Sequence, residues 1–160
     1  MSGLATALML LISANGAPIL ANKALHKRYD WPIDAGMTLS DRQRLLGNTK
    51  TWRGLIASLC LTTAIAWLMG LAPLLGLKFA LWSMMGDLFA SFCKRRMGKV
   101  ESSRTRSLDR LPESLLPLWI LKESLSLSVT GIILTITAFF LLEEFGSPLL
   151  YKWHIRRRPY

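Results

Sequence analysis

A chain of 160 residues has room for one domain, and here 51% hydrophobic residues are joined to a formal net charge of +10. A soluble basic protein is rarely so apolar, with a mean hydropathy of +0.32, and a hydrophobic core alone is rarely so basic. The balance excludes an ordinary nucleic-acid binder and fits a small polytopic membrane protein whose basic loops face an anionic leaflet. Cys60 and Cys93 form no Cys-x-x-Cys pair and lie in or beside apolar segments, so they read as reduced structural thiols.

In chain order, Gly3 to Ala21 is apolar enough to span the roughly 30 Å hydrocarbon layer. No basic residue precedes it, the first being Lys23. It is therefore expected to be a span and not a signal peptide, with its start outside. Within it, Pro18 removes one backbone donor and frees the carbonyl of Ala14, which predicts a bend. Asn15 would be unpaired against lipid, so it should face a neighbouring helix or a polar cavity.

Lys23 to Arg53 is polar and basic, and it contains Pro32, Asp34, Gly36, Asp41 and Gly47. Connections of this length are usually functional or disordered. Trp31 and Trp52 suit headgroup depth. Lys50, Thr51 and Arg53 offer two cations and a hydroxyl just before the next apolar run. That set would hold a phosphate chain, and it would equally anchor a helix end.

Leu55 to Leu71 reads as the second span, Ala72-Pro73 as an external turn, and Leu74 to Phe92 as the third span. Leu74 to Met85 covers only about 18 Å. Asp87 should therefore lie in the inner part of this span or at its mouth. On one helix Asp87, Ser91 and Lys94 follow i, i+4, i+7 spacing and share a face.

After a second basic loop, Cys93 to Arg110, the apolar signal resumes at Leu111. Leu111 to Leu121 is too short to span alone, Lys122-Glu123 interrupts it, and Ser124 to Leu142 is apolar again. One long helix and a re-entrant pair both fit that pattern. Charge parity favours two crossings, five in all. The tail Lys152, Arg156, Arg157, Arg158 then returns to the cytoplasm, and of the 20 Lys and Arg residues only Lys78 and Lys122 stay outside. The expectation is an all-α integral membrane protein of five transmembrane helices in the cell membrane. One domain, 1–160, would have its N-terminus outside and its C-terminus cytoplasmic.

Both basic loops then face the cytoplasm and should meet a cytosolic anion, a lipid headgroup, or both. There is no Gly-x-Gly-x-x-Gly or P-loop pattern. The two histidines, His26 and His154, fall outside the clusters, which disfavours chemistry that needs a histidine base. Asp87 and Asp109 would suit Mg²⁺, which keeps several waters and bridges one or two carboxylates to phosphates. Attack by a phosphate monoester on a nucleoside triphosphate needs no base, because the nucleophile is already an anion. Its difficulty is repulsion, about 4 kcal/mol for two like charges at 4 Å and an effective dielectric of 20. Cations answer that directly. Plainer roles remain open: Lys94-Arg95-Arg96 as a membrane anchor, Asp87 as an ion-pair partner, Asp109 as a helix cap.

Taken jointly, the motifs resemble the CDP-archaeol synthase family of CTP:lipid-phosphate cytidylyltransferases, related to the phosphatidate cytidylyltransferases. The resemblance rests on Asn15-x-x-Pro18, Pro32-x-Asp34-x-Gly36, Lys50-Thr51-x-Arg53-Gly54, Gly86-Asp87-x-x-x-Ser91-Phe92-x-Lys94-Arg95-Arg96 and Leu108-Asp109. It implies a polar pocket on the cytoplasmic side and Mg²⁺-dependent transfer of CMP from CTP to a glycerol-phosphate lipid, with release of pyrophosphate. By the same resemblance Asp87 and Asp109 hold the metal, and Lys50, Thr51, Arg53, Lys94 and Arg95 bind the phosphates. Ser91 joins them on the shared face, while Asn15 and Asp34 shape the pocket. The chain departs from the pattern after Asp109, where Arg110 follows and Glu113 becomes an alternative second ligand. The expected partners are CTP, a lipid phosphate and the bilayer, with no nucleic acid and with homo-oligomerisation left open. The competing reading is a non-catalytic membrane protein whose basic loops bind anionic lipid or a partner. A transporter using Asp87 for ion coupling is a third.

Overall fold

The computed structural model describes residues 3–26, 28–98 and 106–152, with side chains throughout except at 106–109 and 147–152. Five helices follow one another: α1 (Gly3–Leu25), α2 (Trp52–Leu68), α3 (Pro73–Arg96), α4 (Arg106–Ile120) and α5 (Val129–Lys152). Among the described residues there is no strand, only isolated bridges at Pro32–Thr51 and Thr38–Arg44. The all-α expectation holds.

α1 runs through Pro18 without ending. The carbonyl that Pro18 leaves without its helical donor belongs to Ala14, and the hydroxyl of Ser58 on α2 donates to it at 2.8 Å. The cost of the proline is thus met by a neighbouring helix, as proline inside a lipid-bathed helix requires. α2 starts at Thr51, whose Oγ1 accepts the amide of Gly54 at 3.3 Å, an N-cap. Its two ends carry the exposed rings of Trp52 and Trp67, about 22 Å apart along the axis. α3 begins on Pro73 and ends on Lys94, Arg95 and Arg96, where cations favour the negative end of the helix dipole.

The last two helices depart from the apolar pattern. α4 begins at Arg106, five residues before the apolar run, and stops at Ile120. A turn segment follows, and α5 starts at Val129, not Ser124. The reason is Ser128, whose Oγ accepts the amide of Gly131 at 3.1 Å and caps α5. Two separate helices therefore replace the single long helix that the sequence left open. At 15 residues α4 covers about 22 Å, short of the hydrocarbon layer. By length and composition α1 and residues 129–146 can cross a membrane, and α2 is a shorter apolar helix.

α1 packs on α2, α3 and α5; α3 also packs on α2 and α4; and α4 packs on α5. The α2–α3 turn and the α4–α5 turn lie at one end of the bundle. Leu10, Leu11, Phe79, Leu118 and Phe139 form a fully buried apolar core there. Close approach depends on glycine: a Cβ at Gly76 would sit 2.5 Å from Ala66 Cβ, and one at Gly86 2.2 Å from the carbonyl of Pro112. Large apolar side chains such as Phe145, Leu68 and Ile133 remain exposed around the bundle, as a surface bathed in lipid would leave them.

Candidate functional site

The opposite end gathers the C-termini of α1 and α3, the N-termini of α2 and α4, and the 28–51 segment. That segment contains almost no apolar core, so hydrogen bonds to charged groups hold its shape. Asp34 is the main node. Its carboxylate is fully buried and accepts from the guanidinium of Arg44 and from the amides of Gly36, Leu46 and Gly47. Burial opposes its ionisation, but Arg44 and the three amides outweigh that and hold the carboxyl well below the usual carboxylate range.

A second tie comes from Arg53 in the first turn of α2. Its guanidinium donates to the carbonyls of His26 and Arg28, to Asn22 Oδ1, and to Asp30 Oδ1 at 2.9 Å. One side chain thereby joins the end of α1, the turn after it and the start of α2. The turn is tight enough that His26 and Tyr29 both adopt positive φ. A third tie is Arg96, which donates to Asp41 Oδ2 at 2.6 Å and to the carbonyls of Gln43 and Arg44. The amide of Gln43 and then Arg96 lower the pKa of Asp41.

A cavity of about 320 Å³ lies between the 28–51 segment, α1, α2 and α3, and of the three ties the Arg53–Asp30 pair lines it. Its polar lining includes Asn22, Asp30, Asn48, Lys50, Thr51 and Asp87. Lys50 Nζ lies 2.6 Å from both carboxylate oxygens of Asp87, and each side chain is about one-fifth exposed. Residues 37 positions apart in sequence therefore meet in one wall. Asp87 is a carboxylate that could hold a hard divalent ion, with the remaining ligands supplied by water or a bound anion. Among the described residues no three His, Cys, Asp or Glu side chains gather at one point.

The expected site residues separate into groups. Lys50, Thr51, Arg53 and Asp87 line the cavity. Within this group Thr51 is engaged as a cap and Arg53 as a structural tie. Ser91, Lys94 and Arg95 are buried further along α3 and are outside the cavity lining; Arg95 Nε is buried without a hydrogen bond among the described residues. Asp34 and Asn15 are also outside the lining. Asp34 organises the segment that carries Lys50. Asn15 donates to Leu11 O and, at 3.4 Å, to Ser83 Oγ on α3, the helix-to-helix role. Asp109 falls in the first turn of α4, and its side chain lies outside the described residues. Glu113, the alternative ligand, is buried on the same helix.

Asn22, Asp30 and Asn48 were not singled out by the sequence reading. For Asn22 a signal existed: it lies seven residues after Asn15 and four after Pro18, on one helical face.

Comparison with known proteins adds a second line. Residues 21–75 match the family described as CarS-like: CDP-archaeol synthase. A CDP-archaeol synthase of Pyrobaculum islandicum is 30% identical over 156 residues, covering 92% of this chain and 91% of its own. One from Sulfurisphaera tokodaii is 29% identical, covering 94% and 90%. A solved structure, described as an intramembrane enzyme for archaeal membrane lipids biosynthesis, superposes with a TM-score of 0.68 at 25% identity. It covers 86% of this chain and 90% of that one.

Proposed function

This chain belongs to the CDP-archaeol synthase family, and from that premise we propose that it transfers the cytidylyl group of CTP to the phosphate of a membrane glycerol-phosphate lipid, releasing pyrophosphate in a Mg²⁺-dependent reaction. The observation that carries the site assignment is the Lys50–Asp87 pair in the cavity wall. The acceptor is archaeol-phosphate-like or phosphatidate-like.

The chemistry follows from charge. An anionic oxygen of the lipid phosphate forms a bond to the α-phosphorus of CTP. The bond from that phosphorus to its bridging β-oxygen breaks, and the electron pair leaves with pyrophosphate. No side chain has to remove a proton from the nucleophile. Lys50 supplies positive charge to the triphosphate, while Thr51 and Arg53 fix the helix end that presents it. Lys94 and Arg95, with Ser91 on the same face of α3, extend positive charge toward the lipid phosphate. Mg²⁺ held by Asp87, with Asp109 or Glu113 as second acid, would compensate phosphate charge in the approach and in the leaving group. A single domain crossing the membrane five times, with the cavity at its cytoplasmic face and the N-terminus outside, is the reading favoured by the placement of Lys and Arg along the sequence, and the apolar α1 and residues 129–146 support its place in a membrane.

The test is a nucleotide and acceptor panel with purified protein. Radiolabelled CTP, ATP, GTP and UTP are each offered with archaeol phosphate or phosphatidate. The expected result is a CDP-lipid from CTP alone, lost on chelation of Mg²⁺. Anionic-lipid binding without any nucleotide-dependent product would instead establish the non-catalytic reading.

A further inference from the structure

We infer that Arg110 is a positioning residue: held by Glu143 and Glu144 of α5, it keeps the first turns of α4 pressed on α3 beside Asp87. The inference rests on the cytidylyltransferase reading, in which an acid of α4 completes the site.

α4 is poorly held by its own backbone. Pro112 and Pro117 lie inside it, and a proline offers no amide, so the carbonyls of Leu108 and Glu113 lose their helical donors. What fixes this helix must come from its neighbours. On one side its backbone touches α3. A Cβ at Gly86 would lie 2.2 Å from the carbonyl oxygen of Pro112 and 2.7 Å from Glu113 Cα. Glu113, itself buried, is thereby placed against the residue that precedes Asp87. Asp109 stands one turn earlier on the same helix.

A contact on glycine allows close approach but leaves the helix free to roll. The opposing hold is Arg110, two positions before Pro112 and about 200° from it around the helix. Its Nε lies 2.9 Å from Glu143 Oε2, its Nη1 3.2 Å from Glu144 Oε2, and its guanidinium carbon 5.8 Å from the centre of the Phe140 ring. Only 13% of the Arg110 side chain is exposed. A planar guanidinium that reaches two carboxylates at once fixes a direction, which a single point charge does not. The base of this clamp is firm, because Phe139 of α5 belongs to the buried core and α5 packs on α1. α4 is thus gripped from opposite faces, by Gly86 of α3 and by the acids of α5, and Arg110 sets its roll. Release of the clamp would move Glu113 and Asp109 relative to Asp87. No residue of α4 lines the cavity, so nucleotide uptake should be indifferent to the clamp while the transfer step depends on it.

The experiment uses full-length protein in nanodiscs, with Arg110→Gln and Arg110→Lys. Hydrogen exchange is followed in peptides of α4, of α2 and of the 28–51 segment, and kcat and KM for CTP are measured on the same preparations. Arg110→Gln should speed exchange in α4 about ten-fold and leave the other peptides at their wild-type rates. It should lower kcat about ten-fold, the scale of a small misplacement of a reacting group, with KM for CTP unchanged. Arg110→Lys, which keeps the charge but not the two-armed reach, should fall between the two in both readouts. The inference is overturned if exchange in α4 does not respond, if it responds while kcat stays at the wild-type value, or if KM for CTP rises in place of a fall in kcat. Exchange that rises across the whole bundle in both variants would make Arg110 a folding residue and overturn it as well. Failure of the functional reading looks different: the wild type itself would form no CDP-lipid, while exchange in α4 would still respond to loss of the clamp.

Discussion

The two ends of the bundle are stabilised by different physics. At the end with the short turns, Leu10, Leu11, Phe79, Leu118 and Phe139 are fully buried together, and Gly76 lets α3 lie against Ala66 and Thr62 of α2. Association there depends on shape, because lipid tails are as apolar as the side chains they would replace. At the other end Asp34, Arg53 and Arg96 each gather several donors or acceptors, and almost no apolar core lies beneath them. Packing fixes the frame, while charge fixes the site. The difference implies that substitutions at the two ends should separate stability from activity.

The largest expected effect is on chemistry. Asp87→Asn should lower the rate of CDP-lipid formation by at least about 100-fold, the scale for losing an electrostatic partner of the reacting phosphates. Its stability should change little, because both members of the Lys50 pair are partly exposed and solvent-screened. Radiolabelled CTP turnover and a melting curve in detergent, run on one preparation, check both halves. A variant that melts far below the wild type would return Asp87 to a structural role.

Next in size is the node at Asp34. Asp34→Ala leaves Arg44 and the amides of Gly36, Leu46 and Gly47 without their acceptor, a loss of about 2–3 kcal/mol. Hydrogen exchange at Leu46 and Gly47 reads it. The same carboxylate sets a pH response. Its pKa is depressed in the folded chain, so its stabilisation is fully present above the unfolded carboxylate value near 4. It drains away as the pH falls below that value toward the folded pKa. Exchange at those amides should therefore gain protection with rising pH through the acid range, after correction for intrinsic rates, and level off above about pH 5.

At the apolar end Gly76→Ala puts a methyl 2.5 Å from Ala66 Cβ and 2.9 Å from Thr62 O. Overpacking of this kind costs about 1–3 kcal/mol. The melting temperature should fall while turnover per folded molecule stays at the wild-type value. A loss of turnover without a loss of stability would show that the two ends are not separable in this way.

Much of this division is legible in the sequence, and the remainder has identifiable causes. The position of Asp87 follows from counting residues from the external turn at Pro73, since helix rise is fixed. Thr51 as a cap follows from a hydroxyl just ahead of an apolar run, and the donor to the Ala14 carbonyl is demanded once Pro18 is seen. That Lys50 meets Asp87 does not follow, because nothing local joins residue 50 to residue 87. Arg53 reads as a phosphate ligand because a cation beside an apolar run looks the same whether its acceptors are phosphates or carbonyls. Here they are the carbonyls of His26 and Arg28. Asp34 gives half of its role locally, as an Asx turn onto Gly36, while Arg44 and Gly47 are non-local. The start of α5 is not legible in hydropathy, which runs on through residues 124–128; the Ser128 cap, a purely polar signal, decides it.

The smallest effect tests the outermost tie. Asp41 accepts from Arg96 and from the amide of Gln43, and its carboxyl is held below its ordinary value mainly by that amide. Yet both partners of the ion pair are substantially exposed, and Arg96 keeps the carbonyls of Gln43 and Arg44 if Asp41 is lost. Exposed pairs of this kind are screened over about 8 Å at physiological salt. Asp41→Asn should therefore leave the melting temperature and turnover unchanged at 150 mM salt. A faster exchange at the amide of Gln43, growing as the salt is lowered, should be its only trace. If turnover fell instead, the 38–44 strap would be part of what holds Lys50 in the cavity wall, and the charged end would have to be treated as one cooperative unit instead of three separate ties.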